Sequence, residues 1–167
     1  MAQTINGMIA RENNSEDFLS DENWTTFVEK AEKIGCFIIG RKTYDEVKKW
    51  KDYNFDSIKA KKIIVSSNNL NSKDFTIVNS PKEAVEKAKE LGFKKVLVTG
   101  GGSINSSFMK AKLVDEIIIK IESFVLGKGI KVFASEDFEA KLELIKVKKL
   151  TKNIVELNYK VNKNTYK

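Results

Sequence analysis

The groups best suited to chemistry in this chain cluster at Gly100-Gly101-Gly102, followed by Ser103, Ile104 and Asn105. A β-branched apolar run, Lys95 to Thr99, leads into the glycines and reads as a strand buried on both faces. A helical pattern leads out, with Ser103 as its N-cap and Ile104, Phe108 and Ala111 on one face. Glycine lets the backbone approach a ligand closely, and the free N–H groups at a helix start attract anions. The expected chemistry is the cradling of a phosphate or pyrophosphate. Three ordered glycines cost roughly 0.5–1 kcal/mol each relative to alanine, more than a plain turn needs. The run is neither G-x-G-x-x-G nor a P-loop, because no Gly-Lys-Ser/Thr follows.

Two further segments have the same form. Cys36-Phe37-Ile38-Ile39 is a buried strand that runs into Gly40-Arg41-Lys42-Thr43 and a short helix from Asp45 to Trp50. Arg41 can hold a phosphate bidentately, Lys42 as a point charge, and Thr43 can cap the helix or donate to phosphate. Lys62-Ile63-Ile64-Val65 is a strand ending in Ser66-Ser67-Asn68-Asn69, whose hydroxyls and amides suit adenine or ribose phosphate, or a turn. Ligands of parallel sheets bind at the carboxyl ends of strands, and all three segments lie there. Together they point to a dinucleotide carrying an extra phosphate, NADPH.

Composition narrows the chemistry. The chain has 167 residues and a net charge of +7, with 30 Lys+Arg against 23 Asp+Glu. That length suits a single domain with a sizeable core. The lysines are spread along the chain with no concentrated basic block, which suits anionic small ligands better than nucleic acid. There is no histidine, so Ser-His and Cys-His nucleophile systems and histidine metal sites are excluded. Cys36 is the one cysteine and reads as a buried structural thiol. No signal peptide or membrane span is expected, and the protein is expected in the cytoplasm.

The remaining elements must position these groups. Gln3 to Ala10 is expected as a first strand, with Asn6-Gly7 as a bulge or close ligand approach within it. A helix follows Ser20, with Trp24, Phe27, Val28, Ala31 and Ile34 as its apolar stripe and Gly35 as its stop. Phe75 to Val78 is a short strand, and Ser80-Pro81 opens a helix buried through Ala84, Val85, Ala88 and Leu91. Val114 to Ile121 alternates Ile117, Ile119 and Ile121 against Lys120 and Glu122. Ala140 to Thr151 and Ile154 to Val161 form an antiparallel pair turning at Lys152-Asn153, and the tail from Asn162 frays. The fold class is α/β: a mostly parallel central sheet with an antiparallel C-terminal edge and helices on both faces.

Ile39-Gly40-Arg41-Lys42-Thr43-Tyr44, Ile63-Ile64-Val65-Ser66-Ser67 and Val98-Thr99-Gly100-Gly101-Gly102 resemble, in order and spacing, the cofactor segments of the dihydrofolate reductase superfamily. Leu113-Val114-Asp115-Glu116, Leu126-Gly127-Lys128-Gly129, Val132-Phe133 and Asn105 resemble one branch of it. That branch holds the C-terminal reductase domain of riboflavin-biosynthesis deaminase-reductases and its stand-alone relatives. The resemblance implies a dihydrofolate reductase-like fold over residues 1–167. It implies NADPH over the strand ends, with Gly100 to Ser103 on the pyrophosphate and Arg41, Lys42, Ser66 and Ser67 around the adenosine phosphate. Gly40, Thr43, Thr99, Ile104 and Asn105 complete that set, and the nicotinamide reaches Ile9 and Ala10.

The implied reaction is hydride transfer to the sugar of a ribosylaminopyrimidine phosphate, 5-amino-6-(5-phosphoribosylamino)uracil or a relative, by a homodimer. Substrate-side candidates are Asn6, Ser20, Trp24 and Phe27; no catalytic side chain and no metal is assigned. Two positions depart from the riboflavin branch, which commonly has acidic residues where this chain has Thr99 and Asn6. A dihydrofolate or other pterin reductase is the enzyme alternative; it would want a carboxylate on the first helix, and Asp21 and Glu22 lie nearby but read first as helix-start acids that suit the dipole. A non-catalytic nucleotide-binding module is the alternative of another class.

Overall fold

The structure is a computed structural model and describes residues 1–50, 53–68 and 75–166. Asn69, the start of the irregular stretch at Lys51 and the terminal Lys167 lie outside the described residues. In chain order the elements are β1 (Ala2–Thr4), β2 (Met8–Ala10), α1 (Asp21–Ile34), β3 (Cys36–Gly40), α2 (Arg41–Val47), β4 (Lys61–Val65), β5 (Thr76–Val78), α3 (Pro81–Glu90), β6 (Leu97–Val98), α4 (Gly102–Lys110), β7 (Glu116–Glu122), β8 (Ile130–Lys131), β9 (Leu142–Lys149) and β10 (Ile154–Val161).

A parallel sheet in the order β5-β4-β3-β6 forms one half of the fold. Its strands are continuous apolar runs because helices cover both faces. On one face Phe37, Ile39 and Ile64 pack with Ala31 of α1 and with Tyr44 and Val47 of α2. On the other, Cys36, Ile38, Ile63 and Val65 pack with Ala84 and Ala88 of α3 and Phe108 of α4. The apolar stripe expected in α1 is the one that packs here, and Gly35 ends that helix in the left-handed conformation. Ser80 caps α3 by accepting from the Glu83 N–H, with Pro81 at the first helical position.

The second sheet has the order β1-β7-β10-β9. β1 runs parallel to β7, while β7, β10 and β9 are mutually antiparallel neighbours, the expected C-terminal edge. β2 pairs with β8 in a separate antiparallel ribbon. The overall arrangement is the α/β dihydrofolate reductase-like fold.

Several local expectations are corrected. The first strand is two strands, because Gly7 takes φ 85° and donates its N–H to Thr4, turning the chain between β1 and β2. Asn6-Gly7 is therefore a turn rather than a bulge. α2 starts at Arg41 rather than Asp45, so both cations sit in its first turn. The N-cap of α4 is Gly101, not Ser103, which is exposed inside the first turn. β6 is only half-buried because it is an edge strand whose outer side faces a cleft. Lys120 and Glu122, read as the polar face of β7, are buried, because their hydrogen bonds run to α1 on that face. The tail is docked rather than frayed: Tyr166 is buried against Met109 and donates its hydroxyl to the Val114 carbonyl at 3.2 Å.

Candidate active site

The chain lays β3, β4 and β5 outward in one direction, then crosses through α3 and places β6 on the opposite side of β3. Strand order thus reverses between β3 and β6, and such a switch point opens a crevice at the carboxyl ends. The two strand ends there each lead directly into a helix, α2 and α4. Thr99 donates its N–H to Ile38 at 2.9 Å and its hydroxyl to the same carbonyl at 3.3 Å. Gly40 donates to the Gly100 carbonyl at 2.8 Å, and Gly101 donates to the Thr43 hydroxyl at 2.8 Å. These contacts lock the two helix starts side by side.

Glycine is required here for space and conformation. Gly100 has φ 98°, and the Gly100–Gly101 peptide is cis. A side chain at Gly40 would lie 2.5 Å from Cγ1 of Ile104, and one at Gly102 would strike the Lys131 carbonyl oxygen. The N–H groups of Gly102 and Ser103 open α4, where no residue four back within the helix can accept them. The Nε of Arg41 donates to both carboxylate oxygens of Asp45 at 2.8 Å. Its two terminal nitrogens have no partner among the described residues. Ser66 is buried with its hydroxyl accepting from the Asn68 N–H, and Ser67 is exposed beside it. Because Gly40 pairs with Val65, these serines sit at the same sheet edge as Arg41.

A cleft of about 1170 Å³ runs along this edge and between the two large sheets. Ile9, Ala10, Lys42, Thr43, Thr99, Gly101 and Asn105 line it from the expected cofactor set. Ser20, Trp24 and Phe27 line it from the expected substrate set. Gly40, Arg41, Ser66, Ser67, Gly100, Gly102, Ser103 and Ile104 do not line it but lie at its rim or behind it. Asn6 also stays outside it, bridging the β1–β2 turn to Leu126 at 2.8 Å. Asn105 is buried and donates to the Val132 carbonyl at 2.7 Å, tying α4 to the segment after β8. Glycines crowded against backbone, paired helix starts, terminal guanidinium nitrogens without a partner among the described residues and a long cleft fit a nicotinamide dinucleotide. Gly100 to Ser103 and Arg41, Lys42 and Ser66 are the groups that would hold it.

The far end of the cleft has an aromatic wall. Trp24 packs on Tyr53 (5.0 Å between centroids) and Phe55 (5.5 Å), and Tyr53 on Trp50 (6.0 Å). The Tyr53 hydroxyl donates to the Asp21 carboxylate at the start of α1. Two polar groups of β7, absent from the sequence reading of the site, hold that helix start. Glu122 accepts from the Ser20 N–H at 2.9 Å, the Ser20 hydroxyl at 2.8 Å and the Asn23 amide. Lys120 donates to Thr26 and to the Asn23 carbonyl, and burial pulls its pKa down to about 8. A third unread group is Glu16, which lines the cleft and whose pKa burial raises to about 7. Nothing in its one-residue context, between Ser15 and Asp17, signals this; only the tertiary structure does.

Residues 1–155 match the family model described as the RibD C-terminal domain, and the chain belongs to that family. The uncharacterized protein YwjB of Bacillus subtilis (strain 168) is 28% identical over 152 residues, 86% of each chain. Among solved structures, a putative riboflavin biosynthesis protein from Shewanella sp. PV-4 superposes with a TM-score of 0.82 at 21% identity, over 97% of this chain and 96% of that one. Dihydrofolate reductase from Enterococcus faecalis, complexed with NADP(H) and RAB-propyl, reaches 0.68 at 17% identity, over 96% and 93%.

Proposed function

We propose that this chain is an NADPH-dependent reductase of the riboflavin-pathway type, acting over residues 1–167 as one reductase domain in the cytoplasm. Its substrate in this reading is a ribosylaminopyrimidine phosphate such as 5-amino-6-(5-phosphoribosylamino)uracil. The observation that carries it is the pair of helix starts locked together at the switch point, opening onto one continuous cleft. Family membership supports the same reading. When bound, the reduced nicotinamide supplies a hydride; the protein supplies position and charge. Ile9 and Ala10 form the floor beneath the ring, Gly100 to Ser103 hold the pyrophosphate, and Arg41 with Lys42 and Ser66 hold the extra phosphate. Trp24 and Phe27 supply apolar surface to the substrate base.

A pterin reductase is the second reading, favoured by the Asp21 carboxylate at the cleft and the aromatic wall around it. We also infer that two copies pair through β9, an edge strand that exposes Leu142, Leu144, Ile145 and Val147. Sedimentation of a Leu144→Asp variant as a monomer against a wild-type dimer tests this. For the activity, purified protein is given NADPH and either the ribosylaminopyrimidine phosphate or dihydrofolate, and nicotinamide absorbance is followed. Oxidation with the first supports the principal reading, and oxidation with the second alone supports the alternative. Cofactor binding without turnover of either leaves a nucleotide-binding module, and no cofactor binding contradicts all three.

A further inference from the structure

Glu16 stands in the loop that follows β2, one residue from a carboxylate of opposite behaviour. Asp17 also lines the cleft but is engaged, accepting from Arg11 at 2.6 and 3.1 Å and from the Ser15 hydroxyl at 3.1 Å. The Arg11 N–H donates to the Ser15 carbonyl at 2.8 Å, closing the loop on itself. On the other side Phe18 stacks on Phe124, with 5.3 Å between centroids and 7° between planes, and Leu19 donates to the Glu16 carbonyl at 2.9 Å. The loop is therefore clamped at both ends of Glu16. Glu16 lines the cleft together with Ile9, Ala10, Ser20 and Trp24, and among the described residues its carboxyl has no hydrogen-bond or ionic partner.

We propose that Glu16 is the proton donor to the substrate atom that becomes negative as hydride arrives. The inference rests on the reading of the cleft as a reductase site with the nicotinamide along β2. Both candidate substrates can offer a C=N bond for reduction. Hydride from the reduced nicotinamide forms a C–H bond at that carbon, and the π pair moves to nitrogen. The proton leaves the Glu16 carboxyl and forms the N–H bond. The nicotinamide is left oxidised, and the Glu16 carboxylate recovers a proton from water. Positioned acid catalysis of this kind contributes roughly 10²–10⁴-fold.

Lys120 of β7, which also lines the cleft, is engaged by Thr26 and the Asn23 carbonyl, and the charged groups of the loop and of the α1 start are engaged as well. Arg11 and Asp17 are committed to each other. Asp21 of α1 accepts from Tyr53. Lys42 and Glu46 of α2 also line the cleft, yet burial alone accounts for the raised pKa of Glu16. A carboxyl with a pKa of about 7 is half-protonated near neutrality, where a general acid works best.

The test compares wild type, Glu16→Gln and Glu16→Asp. NADPH affinity, read by nicotinamide fluorescence, is expected to be the same in all three. Reduction by wild type, with the ribosylaminopyrimidine phosphate or dihydrofolate as substrate, should fall as pH rises through about 7. Glu16→Gln should lose on the order of 10²-fold in kcat and show no such fall, with Glu16→Asp between them. In the substrate-free protein, carbon NMR of the glutamate carboxyls should show one titrating near 7 that vanishes in Glu16→Gln. Full activity in Glu16→Gln, or glutamates that all titrate well below neutrality, overturns the proposal. Loss of NADPH binding in wild type would instead overturn the reductase reading itself.

Discussion

Removing the Glu122 carboxylate should loosen α1 from the sheet and the cleft together. Glu122 is 6% exposed and one oxygen, Oε1, takes the Ser20 N–H, the Ser20 hydroxyl and the Asn23 amide. In Glu122→Gln an amide oxygen can take the same place, so the bonds lose charge assistance but not their acceptor. Hydrogen bonds to charged groups contribute about 1.5–3 kcal/mol against about 0.5–1.5 for neutral ones, so this variant should lose about 1–2 kcal/mol. Glu122→Ala leaves the buried Asn23 amide with only its long 3.3 Å bond to the Ser20 hydroxyl and the first turn of α1 untethered from β7. With about 1–3 kcal/mol for a buried group deprived of its main acceptor, and water able to reach half-buried Ser20, the loss should be about 2–3 kcal/mol. Urea unfolding at constant m-value reads both numbers. Because Asp21 and Trp24 reach the cleft from that turn, KM for the substrate should rise in Glu122→Ala with little change in NADPH affinity. A loss under about 1 kcal/mol for Glu122→Ala, or equal damage from the two variants, would refute the acceptor role argued from these contacts.

Two further outcomes follow from the same contacts. The Glu16 carboxyl is raised from its ordinary 4.5 to about 7, so the folded state favours its protonated form. Its stability contribution is present below pH 4.5 and is lost as pH rises through about 7; Glu16→Gln should therefore gain about 3 kcal/mol over wild type at pH 8 and nothing at pH 4, by thermal or urea unfolding. Gly102→Ala pushes a methyl into the Lys131 carbonyl and should cost about 1–3 kcal/mol while weakening NADPH binding, read by urea unfolding and fluorescence titration.

Much of this was legible in the chain because local rules and the fold agree. Ser80-Pro81 marks α3, the Trp24 to Ala31 stripe marks α1, and strand-glycine-helix order brings Gly40 and Gly100 to one edge. What was not legible depends on contacts across the chain. The half-burial of β6 comes from its edge position beside the cleft, not from its apolar sequence. Lys120 and Glu122 alternate as solvent-facing residues do, and only α1 lying over that face buries them. The N-cap of α4 falls at Gly101 instead of Ser103, with Gly102 packed against the Lys131 carbonyl of β8, a contact across the chain that no local cap signal announces. Glu16 reads as one more charge in a polar loop; its place at the cleft belongs to a loop held by the Arg11–Asp17 and Phe18–Phe124 contacts.

The most direct test of the central claim is a fluorescence titration of wild type and Arg41→Ala with NADPH, with NADH alongside. The account predicts that wild type prefers NADPH. It predicts that Arg41→Ala loses about 10–100-fold of NADPH affinity, the equivalent of one charge-assisted contact, with NADH affinity nearly unchanged. Equal binding of the two cofactors by both proteins, or no binding by either, would contradict it.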